Sequence, residues 1–267
     1  MCECAEGARS VRSGAAIEFT SNQTKLNLIQ RSEITENIAK KIWVVTIMID
    51  DEQKKIDEII VKIDTQLSAF SDSYRSGPDL YFYKKIFDLR ANFPDIESFL
   101  KNEYNCEILY ACLTSWDMNS RGAKMKYFDG FQQNLINCIE HFKKLEIIDR
   151  LNKPNVNELL QLLTMTYQNL DLMQTNSKLV SNSKLLHYLF PNTLMPMDRE
   201  NTLVYLFGEN ARTYESMKRY QEIIEFSYKV INKKDNWANY RDNRWNTTAP
   251  KMVDNAIIMI RDEQKGK

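Results

Sequence analysis

Lys54–Phe70 reads KKIDEIIVKIDTQLSAF. Ile56, Ile59, Ile60, Ile63, Leu67 and Phe70 recur at helical spacing and form one continuous apolar stripe. Lys54, Lys55, Asp57, Glu58 and Lys62 fill the opposite face. This is an amphipathic helix with a dry side and a wet side. It is predicted to stop before Ser71–Pro78 (SDSYRSGP), the longest breaker-rich stretch in the chain. That stretch is also the expected subdomain boundary, near residues 71–79.

The same period continues outward. Phe128, Phe131, Leu135, Ile139 and Phe142 make a second stripe, after breaks at Gly122 and Gly130. Asn155, with Glu158 three residues on, resembles a capping box and opens a helix carrying Leu159, Leu160, Leu163, Tyr167 and Leu170. Met217, Tyr220, Ile223, Ile224, Ser227 and Ile231 form another stripe, with Ser227 its one polar gap. A last helix has Pro250 in its first turn and brings Val253, Ala256, Ile257 and Ile260 together. Ile42–Ile49 is rich in β-branched residues, but no partner strand is visible, so it reads as a buried helix. Seven Gly and six Pro in 267 residues are too few for the many turns of an all-β fold. Residues 1–23 are small and polar and read as a disordered tail or a cloning remnant; residues 24–267 read as a single helical domain.

Composition narrows the function classes. Hydrophobic residues at 43% and charged residues at 27% are ordinary for a soluble globular protein. The formal net charge is zero, so a nucleic-acid partner would need a local basic face. Cys2, Cys4, Cys106, Cys112 and Cys138 make an odd count without a regular framework, which points to a reducing, cytoplasmic compartment. With only His141 and His187 beside them, no metal site and no cofactor is expected. The longest apolar run, Ile42–Ile49, is far short of the roughly 20 residues a spanning helix needs.

Three clusters carry the polar chemistry. In the first, an apolar helix ends in TSWDMNSRGAKMK (114–126). Trp116 there offers a stacking face, and Arg121, Lys124 and Lys126 are candidate phosphate contacts. The plainer alternative is a helix C-terminus at which cations answer the dipole and Gly122 relieves backbone strain. The second is NSKLVSNSKLLHYLFPNTLMPMDRENTLVYL (176–206), a helix, a proline-bounded turn and a second helix. Lys178 and Lys184 precede the turn, and Asp198 and Arg199 follow it. Asp198 sits where an N-cap belongs; a carboxylate there facing a lysine is equally suited to stabilise a developing cation or orient water. His187 reads as a half-buried helix residue. The third is WANYRDNRWNTTAPK (237–251), within a stretch from Arg212 to Lys251 holding nine Lys or Arg against five Asp or Glu. Trp245, Arg241 and Arg244 suit single-stranded nucleic acid or a phosphate-bearing ligand. The two tryptophans suit a core plug as well.

Ser115–Met118 with Arg121–Lys124, Ser177–His187 through Pro196–Glu200, and Trp245–Thr247 with Pro250–Ile257 together resemble a set of uncharacterised, mostly helical prokaryotic proteins. The order Lys184, Pro196, Asp198 is similar to that of helix-hairpin-helix DNA glycosylases, in which a hairpin lysine precedes a proline-bearing turn and a helix-opening aspartate. The expected fold is therefore all-α, a multi-helix orthogonal bundle; the resemblance implies a helix-hairpin-helix glycosylase-like one. The expected function is association with DNA or RNA, with Asp198 and Lys184 catalytic. Trp116, Arg121, Lys124, Lys178, Arg199, Arg241, Arg244 and Trp245 are the expected nucleic-acid contacts. The alternative is a non-enzymatic helical module that binds a protein partner; no membrane partner is expected. Clustering separates the two, because a catalytic or binding site needs Lys184, Asp198, Arg121 and Arg244 on one concave surface.

Overall fold

A computed structural model of the chain describes residues 12–119, 123–151, 154–213 and 215–266. Among them the secondary structure is helical, and no strand forms beyond one isolated antiparallel bridge, Met125 to Met173. The α-helices are α1 (Arg12–Ser73), α2 (Pro78–Ala91), α3 (Ile96–Lys101), α4 (Glu103–Ser115), α5 (Phe128–Asn137), α6 (Ile139–Asp149), α7 (Val156–Asn169), α8 (Leu179–Leu189), α9 (Val204–Phe207), α10 (Met217–Lys233) and α11 (Ala249–Lys265). A π-helical turn, Arg199–Leu203, leads into α9. The all-α expectation is met, and no helix among the described residues is long and apolar enough to cross a membrane.

The chain divides into two compact units, residues 1–54 and residues 55–267, so the division falls ahead of the loop near 71–79. In the first unit the described residues are all helical. Residues 12–23, expected to be disordered, are part of α1; residues 1–11 lie outside the described residues. Ile42–Ile49 is helical as expected, but the burial expected there is not met at those of its residues whose side chains are described. Trp43 is 67% exposed, and Met48 and Ile49 are exposed too. Apolar content sets what a side chain gains from burial, not whether a neighbour is there to provide it.

In the second unit, the stripe of α1 that begins at Ile56 enters the core: Ile56, Ile59, Ile63, Leu67 and Phe70 are all buried. Polar residues on the same helix fasten it, through Lys62 to Glu263 (2.5 Å) and Tyr205 Oη to Glu58 (3.0 Å). Helix starts are capped by side chains: Asp95 accepts from Ser98 N, Asn102 from Asn105 N, Asn155 from Asn157 N and Glu158 N, and Ser216 from Arg219 N. The long stripe expected over Phe128–Phe142 is interrupted at Cys138, so α5 and α6 are separate helices, while Gly130 lies inside α5. Cys106, Cys112 and Cys138 are buried free thiols, and burial pushes their pKa values up to about 12, 12 and 11.

Two helices lie at the centre. Every residue of α8 from Leu179 to Leu189 is buried, as is every residue of α11 from Pro250 to Arg261. Around them α4 packs on α2, α5 and α8; α10 packs on α7, α8 and α11; and α6 joins α3 to α7. Polar residues inside must find partners. Ser181 and Ser183 donate back to the carbonyls of Lys178 and Val180, and Asn182 Nδ2 donates to Leu170 O. Glu146, buried between α3 and α6, accepts from Arg90, Arg150 and Ile96 N.

Ser227, the polar gap in the α10 stripe, is buried, and its Oγ has no partner among the described residues. An unanswered buried hydroxyl costs roughly 1–3 kcal/mol, and alanine is the better helix former. Ser227→Ala should therefore raise the melting temperature by several degrees in a thermal melt; a lower value than the parent's would show that the hydroxyl is satisfied.

Candidate functional site

α4 ends at Trp116, and its terminus decides where that indole points. Asp117 N donates to Thr114 O (3.0 Å) and Met118 N donates to Leu113 O (3.2 Å), the paired bonds of a Schellman terminus. The left-handed residue such a terminus requires is Asp117, at φ 61°. Gly122, expected to relieve strain here, lies outside the described residues, as does Arg121. The segment is tied down again further on, where Lys126 N donates to Leu172 O and Gln174 N donates to Lys124 O.

α8 carries Lys184 into the interior within an uninterrupted helix, so Val180–Ser183 form part of α8 and not a hairpin. The proline-bearing turn that follows is clamped. His187 Nδ1–H donates to Leu194 O (2.7 Å), Met197 N donates to Ser183 Oγ (3.2 Å), and Tyr220 Oη donates to Met195 O (3.3 Å). Asp149 accepts from Asn192 N, Asn192 Nδ2 and Thr193 Oγ1 at 2.8–3.1 Å, and burial raises its pKa to about 6. The turn so fixed delivers Asp198. Its Oδ1 accepts from Glu200 N (2.8 Å) and Asn201 N (2.9 Å), the N-cap read from the sequence. The π turn that follows puts Leu203 N on Asp198 O (3.0 Å), a wide turn of the kind frequent at functional sites. Oδ2 of Asp198 is left without a hydrogen bond among the described residues.

These elements line two neighbouring spaces that share walls. An inner chamber of about 40 Å³ is lined by Tyr74, Tyr83, Trp116, Lys184, His187, Asp198, Trp245, Lys251 and Asp254, among others. An outer cleft of about 470 Å³ shares Tyr74, Trp116, Lys184, Asp198 and Asn201 with it and adds Arg75, Asp117, Ser177 and Arg199. Among the described residues Lys184 has no carboxylate within ion-pair distance, although it is only 7% exposed. Its Nζ lies 4.5 Å from the centroid of the Trp116 ring, and the Arg75 guanidinium lies 5.4 Å from the same ring. A desolvated cation–π contact is worth about 2 kcal/mol, less than the several kcal/mol that burying a charge costs. Burial accordingly depresses the Lys184 pKa; Asp198 and Asp254 oppose this and Lys251 reinforces it. Lys251 and Asp254, both buried, pair at 2.6 Å on the first turns of α11. Burial raises the Asp254 pKa against the pull of Lys251.

Of the residues expected at a site, Lys184, Asp198, Trp116, Trp245 and Arg199 come together. Trp245 does so as the chamber floor and not as an open stacking face. It is wholly buried, with Nε1 donating to Arg75 O (2.7 Å) and its ring edge-on to Trp116 at 5.5 Å. Arg199 is engaged by Glu215 and Ser177. Lys178 pairs with Asp171 and Arg244 with Asp72, and neither lines the chamber or the cleft. Lys124 and Arg241 are exposed and lie outside both spaces. Of the cations expected to make one basic face, Lys124, Lys178, Arg241 and Arg244 line neither space, and Arg121 lies outside the described residues. His187 is wholly buried, where half-burial was expected. Among the described residues no group of His, Cys, Asp or Glu is placed to hold a metal ion. Arg75, Tyr74, Tyr83, Lys251 and Asp254 are the site residues missed from sequence; the available signal was Lys251 and Asp254 at i, i+3 beside an apolar stripe.

Tyr83 Oη donates to His187 Nε2 (2.9 Å) and receives Thr247 Oγ1 (2.8 Å), because His187 Nδ1 carries the ring proton. Burial holds the His187 pKa at about 3, below its ordinary 6.5. The folded chain thus binds fewer protons than the unfolded chain across that interval, and stability falls as pH drops below about 6.5. Asp149 acts in the opposite sense between about 6 and 3.8, over a narrower window. His187→Gln should therefore flatten the acid limb of melting temperature against pH; parallel profiles for variant and parent would rule out this titration. No family model, no curated protein and no solved structure matches the chain.

Proposed function

We propose that this chain acts on nucleic acid in the manner of a diverged glycosylase-like protein, receiving one nucleobase in the cleft and bringing its sugar to Lys184. One observation carries the reading. A buried lysine without a carboxylate partner stands over an indole, with the free oxygen of a capped aspartate in the same cavity. A depressed pKa makes Lys184 more readily the neutral amine that attacks carbon, and Asp198 Oδ2 is the acceptor for the proton the amine gives up. In the base-excision step the amine bonds to the sugar C1′ while the C1′–N bond breaks. The base leaves with the bonding electrons and takes up a proton. Trp116 supplies the aromatic wall, and the cleft falls in the size range of small-ligand pockets. Of the four residues whose clustering separates this reading from a helical partner-binding module, Lys184 and Asp198 share one concavity, Arg244 lines neither space and Arg121 lies outside the described residues, so the reading rests on the first two.

Titration with single- and double-stranded DNA and RNA across salt concentrations, with borohydride trapping on an abasic oligonucleotide, tests it. The sugar aldehyde and the Lys184 amine would condense to an imine with loss of water, and hydride would fix the adduct. The parent should bind in a salt-dependent way and form the adduct; Lys184→Met should form none. Asp198→Asn should slow trapping roughly 10²-fold or more while leaving the melting temperature nearly unchanged, because asparagine caps a helix about as well as aspartate. Asp198→Ala should cost about 1 kcal/mol of stability. Absence of both oligonucleotide binding at low salt and adduct would leave the partner-binding module as the reading.

A further inference from the structure

The chemistry above leaves the inner end of the cavity unused. Lys251 and Asp254 lie there, each only 4% exposed. One ammonium hydrogen of Lys251 goes to Asp254 Oδ2 at 2.6 Å, and its Nζ lies 5.5 Å from the Trp245 ring centroid. Its other two hydrogens and Asp254 Oδ1 have no partner among the described residues. A buried ion pair adds little net stability compared with apolar residues of the same size, so this pair is not explained by holding the fold together.

The chamber's size limits what reaches the pair. About 40 Å³ takes roughly three water-sized groups, too few for a whole six-membered ring but enough for one edge of it. The ring body then lies in the 470 Å³ cleft beside Trp116, which borders both spaces. The donor–acceptor balance limits it further. Lys184, Lys251 and the buried Nε1–H of Trp116, which has no acceptor among the described residues, outnumber the free acceptors, Asp198 Oδ2 and Asp254 Oδ1. The group that enters must bring lone pairs, and a ring carbonyl oxygen brings two where a ring nitrogen brings one. It must also bring one N–H beside that carbonyl for the Asp254 oxygen.

We propose that Lys251 and Asp254 read the edge of a lactam- or imide-bearing heterocycle, Lys251 donating to a ring carbonyl and Asp254 accepting from the adjacent ring N–H. This rests on the reading that the cleft receives a base, and it narrows the substrate class to bases with a C(=O)–NH edge, as in uracil-like rings.

Three small probes test it on the intact chain, by calorimetry or by the fluorescence of Trp116 and Trp245. They are 1-methyluracil, 1,3-dimethyluracil, which keeps the carbonyls and lacks the N–H, and 9-methyladenine, which stacks and has no ring carbonyl. 1-Methyluracil should bind at least about ten-fold more tightly than either of the others. The double variant Lys251→Met with Asp254→Leu should fold, since an apolar pair of similar size can replace a buried ion pair, and should bind 1-methyluracil and 1,3-dimethyluracil alike. If the double variant does not fold, the parent's three affinities decide the matter alone. Equal binding of all three by the parent would overturn the edge reading and leave the base-receiving cleft standing. No binding of any probe at low-millimolar concentration would overturn the edge reading as well; oligonucleotide binding and imine trapping then decide separately whether nucleic acid is the substrate.

Discussion

A helix with no solvent face must answer every polar group it carries from within the protein, and α8 is such a helix. Its serines turn back on their own backbone, and its histidine is held by Tyr83 and by the Leu194 carbonyl. Among the described residues two of its groups are not answered: Asn182 Oδ1 has no partner, and no carbonyl or carboxylate meets the ammonium of Lys184. The remaining place for that charge is a space bounded by an indole and by carboxylates from other elements. The cavity and the lysine therefore depend on each other. Filling the space with apolar side chains would strand the charge, and removing the charge would leave a polar hollow with nothing to organise it.

The surface-facing helices are legible from sequence because each has one dry side. The α1 stripe from Ile56, the α7 stripe from Leu159 and the α10 stripe from Tyr220 all lie where the period places them. The two central helices are not legible as central. Burial on all sides has no period, and Ser181, Asn182 and Ser183 look like a wet face until partners elsewhere in the chain are known. The Asp198 cap was legible because a cap is a matter of three neighbouring residues. Its neighbours across the cavity, Lys251 and Asp254, sit more than fifty positions away along the chain, and no local rule connects them. Trp245 could not be assigned from sequence, since an indole serves equally as a stacking face and as a core plug; the hydrogen bonds at its backbone and ring nitrogen fix it as the plug.

Two buried charge clusters show how structural and chemical roles separate. Glu146 is met by two arginines and a backbone N–H, so its acceptors are engaged and the cluster is a rivet between α2, α3 and α6. The cavity cluster has two lysines and two aspartates with free donors and free acceptors remaining. The difference is in what remains to be bonded: the acceptors of Glu146 are taken within the fold, while the donors and acceptors of the cavity cluster stay open to whatever occupies the cavity.

The segment that follows Trp116 is fastened at both of its ends, by the Schellman bonds of α4 before it and by the Met125–Met173 bridge after it. Closing a loop between fixed ends grows costlier only slowly with length, by about 0.6 kcal/mol for each doubling. Met118 and Ala123, which line the outer cleft, therefore sit on a stretch whose length can change at little cost to the bonds that place Trp116. The bonds that hold the indole wall and the stretch that borders the outer cleft are thus separate, and a change in the second leaves the first in place.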